Sequence, residues 1–304
     1  MITPVVTNPP IPSSAPHEGP TLSRSPMTLA RGNFEMVVKR LAEDLAFGAD
    51  NSLFLGSGLE YASSRPYQPG DSVRLLNWRL TARTGKPFVK EYEALKRTNV
   101  YIIVDTSASM AVASTPVSKH DMAVWIGAGL GLLAQRRMSP VAFVGAGERT
   151  VRLVPSLNSN DLWQAIEPLR TGSYDERTLL GDRLTRLRPR ITRTSTIFVI
   201  SDLHDPEALR ALRELSQRHD CAVIQTIDPA ECRPLKAGFF RGEESETGRS
   251  FIAHSKSRWT DPSHIRGELV RSGVDSLALM TDEPFIAPLR RFLSSRASMM
   301  RGNR

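Results

Sequence analysis

Two scarcities bound the reading of this 304-residue chain. It has only two cysteines, Cys221 and Cys232, too few for a disulfide scaffold and without the spacing of a zinc site. A reducing compartment is the simpler expectation. Long apolar runs are equally scarce. The best, Met122–Ala134 (MAVWIGAGLGLLA), covers 13 residues and holds three glycines, whereas a bilayer span needs about 20. It reads as a buried core helix. The first residues, MITPVVTNPPIPSSAP, have neither a basic start nor a continuous apolar stretch, so they do not read as a secretory signal. A soluble, cytoplasmic protein is expected. The chain also lacks a phosphate-binding Gly-rich Lys loop, and Gly145-Ala146-Gly147 is only a fragment of a dinucleotide fingerprint. None of its six histidines stands in H-E-x-x-H spacing, and His204 reads as a rim residue.

What is present is ordinary globular material, with 40% hydrophobic and 24% charged residues. Forty Lys+Arg against 32 Asp+Glu give a net charge of +8. That balance allows nucleic acid, an anionic surface or acidic proteins as partners without choosing among them. Residues 1–27 are rich in Pro and Ser and are expected to be a disordered tail. From 32 to 47, Phe34, Val37, Val38, Leu41 and Leu45 recur at helical spacing. Residues 52–97 alternate turn formers with short extended runs and read as a β-rich unit. Beyond Asn99, strands alternate with helices. Strands are expected at 100–104, 141–144, 151–154, 196–200, 222–227 and 276–280, with a hairpin-like insertion at about 238–253. A capping box of Ser118 and Asp121 opens the long helix, and Asp205-Pro206-Glu207 opens another. This alternation predicts an α/β fold, a mostly parallel sheet with helices on both faces, over about 98–304.

The sharpest motif is Asp105-Thr106-Ser107-Ala108-Ser109, directly after the strand 100–104. One carboxylate and two hydroxyls at alternating positions can converge from such a loop, and hard cations favour oxygen ligands. The plainer reading is a Ser/Thr-rich turn. Asp202 ends the later strand 196–200, where it can face the same crevice, and Thr178 can add a hydroxyl, with Thr171 as a rival. This D-x-S-x-S strand end, with a downstream Thr and Asp, resembles the metal-ion-dependent adhesion site of von Willebrand factor A domains over about residues 98–285. The resemblance implies the sheet order 3-2-1-4-5-6 and the metal set Asp105, Ser107, Ser109, Thr178 and Asp202. It implies Mg²⁺, or another hard divalent cation such as Mn²⁺ or Ca²⁺. Thr106, Ala108 and Leu203 stand where that family commonly has glycine.

Upstream, Arg65-Pro66-Tyr67-Gln68-Pro69-Gly70-Asp71, Arg74, Asn77-Trp78, Ala82-Arg83-Thr84 and Val89-Lys90-Glu91-Tyr92-Glu93 resemble the signature of the DUF58 family. Arg65, Arg74 and Arg83 can pair with Asp71, Glu91 and Glu93 and brace the unit, or they can form a docking surface. Between Arg65 and Arg97 eight basic residues face three acidic ones, yet no nucleic-acid motif accompanies them. Members of DUF58 are typically encoded beside MoxR-type AAA+ ATPases. The resemblance therefore implies a non-catalytic adaptor or co-chaperone that acts with such an ATPase on a client protein. Maturation of methanol dehydrogenase by cofactor insertion is one example. An acidic partner residue at the metal is the expected contact, with neither membrane nor nucleic acid. Many relatives carry two N-terminal membrane helices that are missing here, which suggests a soluble adaptor. The alternative readings are a Mg²⁺-dependent hydrolase and, on charge alone, a nucleic-acid-binding module.

Overall fold

In a computed structural model the chain is described at residues 26–30, 32–46, 60–93, 97–147, 154–171, 176–232, 239–243, 250–254 and 262–302. The expected N-terminal tail falls almost wholly outside these residues, as does most of the strand expected at 151–154. Among the described residues no helix is long and apolar enough to cross a membrane.

Five parallel strands form the central sheet: β3 (Val100–Val104), β4 (Val141–Gly145), β5 (Thr196–Ser201), β6 (Asp220–Ile227) and β9 (Asp275–Met280). Their spatial order is β4-β3-β5-β6-β9. The chain steps outward from β3 to β4, then returns to the other side of β3 for β5, β6 and β9. The order therefore reverses between β3 and β5. Both faces of the sheet are covered, so strands that are continuous apolar runs in sequence still alternate in space. Ile102 and Val104 point into one core layer, while Tyr101 and Ile103 point into the other.

The first layer holds α2 (Phe34–Ala46), α5 (Lys119–Arg136), α6 (Ser159–Thr171) and α11 (Ile286–Gly302). The second holds α7 (Leu180–Leu187), α8 (Pro206–Ser216) and α10 (Pro262–Arg271). Helix α2 buries Val38, Leu41 and Leu45 in the same core as α5. Gly129 of α5 is a glycine for this reason: a Cβ there would lie 2.8 Å from Cδ2 of Leu41. The apolar run 122–134 is thus a core helix. Its start is fixed by the expected capping box, with Ser118 accepting from the Asp121 amide and Asp121 accepting from the Ser118 amide. Asp205 caps α8 in the same manner, by accepting from the Glu207 amide, with Pro206 in the first turn.

Ahead of the sheet, β1 (Glu60–Pro66) and β2 (Phe88–Glu93) pair antiparallel. The segment between them is not simply β-rich. It contains α3 (Trp78–Thr84), capped by Asn77 at its start and ended by Gly85 in the left-handed conformation, φ 68°. Seven residues with little apolar periodicity gave no helical signal, so local capping decides this element. The insertion forms a second antiparallel pair, β7 (Phe239–Glu243) with β8 (Ser250–His254).

Candidate metal centre at the carboxyl edge of the sheet

The end of β3 and the end of β5 lie side by side, and the Asp105 amide donates to the Ile200 carbonyl at 2.9 Å. Asp105 is 1% exposed. Its Oδ1 accepts from the Ser107 amide at 3.0 Å and its Oδ2 from the Ser201 hydroxyl at 2.6 Å. The Ser107 and Ser109 hydroxyls are 3.1 Å apart at the start of the short helix α4 (Ala108–Ala111). The Ser109 hydroxyl also helps favour the charged form of the buried Asp202. Four of the five expected residues, Asp105, Ser107, Ser109 and Asp202, therefore converge. Their meeting place is the point where strand order reverses, which is where open α/β sheets place ligands.

Thr178 is half-buried on the segment that approaches this loop: Glu176 bridges Ser107, and its carbonyl accepts from the Ala108 amide at 2.8 Å. Thr171 is the poorer choice, because it is exposed at the end of α6 and its hydroxyl donates to the Glu167 carbonyl.

Burial, followed by the charge of Asp202, pushes the Asp105 carboxyl up to about 6. Burial would raise Asp202 as well. The Lys119 ammonium, then His204 and hydrogen bonds from Lys119 and Ser109, outweigh that cost and hold it below the usual carboxylate range. Leu203, next in the chain, takes a left-handed backbone with φ 60°. This is the position where the resembled family commonly has glycine. The turn persists because the Leu203 amide is held by the Ser201 hydroxyl at 2.8 Å and its side chain is buried in the second core layer.

Sequence reasoning missed three members of this neighbourhood. Lys119 is fully buried, and its Nζ donates to Asp202 Oδ2 at 2.8 Å and to Glu231 Oε1. It was hidden inside the capping box, where only Ser118 and Asp121 carried a signal. Glu231 comes from the short helix α9 (Pro229–Cys232) after β6. Buried Glu176 accepts from the Thr106 hydroxyl at 2.6 Å, and that hydroxyl in turn accepts from the Gly147 amide at 3.0 Å. Gly147 has to be glycine: a Cβ would fall 2.1 Å from Glu176 Oε2. The dismissed Gly145-Ala146-Gly147 fragment is therefore a packing device.

The arginines divide. Arg65 grips Asp71 through two bonds of 2.7 Å and reaches Glu91 at 3.0 Å. The Arg65 hydrogen bond, assisted by the Gln68 amide, lowers Asp71 to about 2. Arg74 and Arg83 do not join this network. They point outward from the turn before α3 and from α3 itself, with no carboxylate partner among the described residues. Val73, Leu75 and Trp78, exposed at 59%, 41% and 66%, lie on the same segment.

Asp105, Ser107, Ser109 and Asp202 offer hard oxygens only, and two carboxylates are buried side by side. Both features fit a cation of the Mg²⁺ class. The fold and site define a Rossmann-like α/β domain with an oxygen-donor cluster at the switch point of its sheet. More particularly, the chain belongs to the DUF58 family: residues 63–262 match the family described as "Protein of unknown function DUF58". Uncharacterized proteins of Mycobacterium bovis and Mycobacterium tuberculosis are 28% identical to it, the match covering 96% of this chain and 95% of each relative. The uncharacterized protein YeaD of Bacillus subtilis is 36% identical over 74 residues, 23% of this chain and 19% of YeaD. Among solved structures, the conserved hypothetical protein BatB from Bacteroides thetaiotaomicron aligns with a TM-score of 0.43 at 16% identity, covering 67% of this chain and 99% of that one. The minor pilin PilB from Streptococcus sanguinis aligns with a TM-score of 0.40 at 10% identity, covering 72% and 66%.

Proposed function

We propose that this chain is a non-catalytic, metal-dependent adaptor built on a von Willebrand A-type domain, acting with a MoxR-type AAA+ ATPase on a client protein. The observation that carries the reading is the convergence of Asp105, Ser107, Ser109 and Asp202 at the switch point, in a chain that belongs to DUF58. These residues, with Thr178 nearby, would hold Mg²⁺ or a similar cation. When bound, that cation supplies an electrophilic position for a partner's carboxylate. The chain's own part is to keep the hydroxyls aligned: Ser201 and the Ser107 amide fix Asp105, while Glu176 and Gly147 pin Thr106 between two loops. The test is calorimetric titration of the full chain with the MoxR-type ATPase encoded nearest to it. Asp105→Ala and a chelator should each weaken binding at least tenfold with the fold intact. Binding unchanged by both would end the reading.

The face carrying Trp78, Arg74 and Arg83 is proposed as a second contact, for an acidic surface with an apolar recess on the same ATPase. Exposed Trp and Arg are the residue types that dominate protein interfaces. Trp78→Ala should weaken the complex by tenfold or more, and Arg74→Glu with Arg83→Glu should also abolish most of its salt dependence. If 20-nucleotide single-stranded DNA binds this face more tightly than the ATPase does, the surface is a nucleic-acid one instead.

A further inference from the structure

Lys119 stands where a lysine is costly twice over. It is completely buried, and it occupies the first position of the 18-residue helix α5, at the positive end of the helix dipole. Nothing in helix formation asks for a cation there. What holds it is the pair of carboxylates, Asp202 at 2.8 Å and Glu231. Asp202 is also the carboxylate that the metal reading assigns to the site. Asp202, His204 and Glu231 offer ligand atoms within 4.8 Å of one another, an arrangement that could by itself suggest a second metal. The ammonium is bonded to two of those three residues, so that position already holds a positive charge.

We propose that Lys119 is the resident cation of this pocket. It offsets one of the two negative charges of Asp202 and Glu231, excludes a second metal from the Asp202–His204–Glu231 trio, and sets a weak affinity for the single divalent ion that the Asp105 side can hold. This rests on the reading of the cluster as a metal centre. The physical basis is Coulombic: a buried unit charge a few ångströms from a divalent ion repels it with little screening. Glu231 meets the ammonium through Oε1, while its Oε2 is buried without a hydrogen-bond partner among the described residues.

The experiment is Mn²⁺ titration of the full chain, followed by calorimetry and by thermal unfolding with and without Mn²⁺. Lys119→Met should bind Mn²⁺ at least tenfold more tightly than the unmodified chain and gain a larger rise in Tm from it. Glu231→Gln keeps the ammonium but leaves it bearing on Asp202 alone, and should bind several-fold more weakly. If Lys119→Met fails to fold, Glu231→Gln decides: weaker binding supports the proposal and unchanged binding overturns it. Mn²⁺ bound by the unmodified chain with the same affinity in folded Lys119→Met overturns this inference and spares the metal reading. Absence of Mn²⁺ binding in all three proteins overturns both. Binding by Lys119→Met alone overturns the metal reading of the unmodified chain and, with it, this inference.

Discussion

At the scale of single residues, the site is a set of buried charges held in place by neighbours far away in sequence. Asp105 is the clearest case. Its folded carboxyl titrates near 6 against an ordinary value of 3.8. The sign follows from linkage: the folded chain holds this proton more tightly than the unfolded one. The contribution therefore favours folding below about pH 4 and is lost as pH rises through about 6. At about 1.4 kcal/mol per unit, the upper bound of that loss in metal-free protein is about 3 kcal/mol. Asp105→Asn keeps the acceptor for the Ser107 amide and removes the charge. In chelator at pH 7.5 its Tm should exceed that of the unmodified chain, the two converging near pH 4. A lower Tm at both pH values would show that the carboxylate is not a source of strain.

At the scale of elements, the same logic operates at the opposite edge of the sheet. Arg296 of α11 is 2% exposed and pairs with Asp220, at 2.6 Å, and with Asp275, the first residues of β6 and β9. One guanidinium thus fastens the last helix to two strands. Removing one member of a buried ion pair strands its partners and commonly costs about 3–5 kcal/mol. Both aspartates here are partly exposed, so a smaller loss of about 2 kcal/mol is expected for Arg296→Leu in urea unfolding. An unchanged midpoint would mean that the apolar contacts of Phe285, Leu289 and Leu293 alone dock the helix. The segment between β1 and β2 shows how local and tertiary effects divide. The extended runs were legible, whereas α3 depends on the Asn77 cap and on Phe88 donating its amide to the Thr81 hydroxyl.

At the scale of the whole molecule, the site exists only because the sheet is assembled. Asp105 and Asp202 are 97 positions apart and become neighbours through the parallel register of Val104 with Ile200. An unfolded chain has no such site, so a bound cation acts as a folding ligand. Mg²⁺ at about 100 times its dissociation constant should raise stability by about 2.7 kcal/mol, with Tm climbing with its logarithm. Asp202→Ala should abolish the climb. A Tm indifferent to Mg²⁺ in the unmodified chain would contradict this.

The sequence by itself determined the strand–helix alternation, the capped starts of α5 and α8, and the loop Asp105–Ser109. Each of these is written in local periodicity or in residues a few positions apart, where side chain and backbone meet without help from the rest of the fold. Tertiary structure alone decided which arginines are braced and which face outward, why Gly147 must lack a side chain, and where the charge of Lys119 ends up. Arg65 lies within reach of Asp71, six residues further on, and of Glu91 across the β1–β2 pair, whereas Arg74 and Arg83 do not. Lys119 lies 83 residues before Asp202 and 112 before Glu231. No pattern along the chain joins them, because the attraction that pairs them acts across a buried space that appears only when β5, β6 and α5 are packed together.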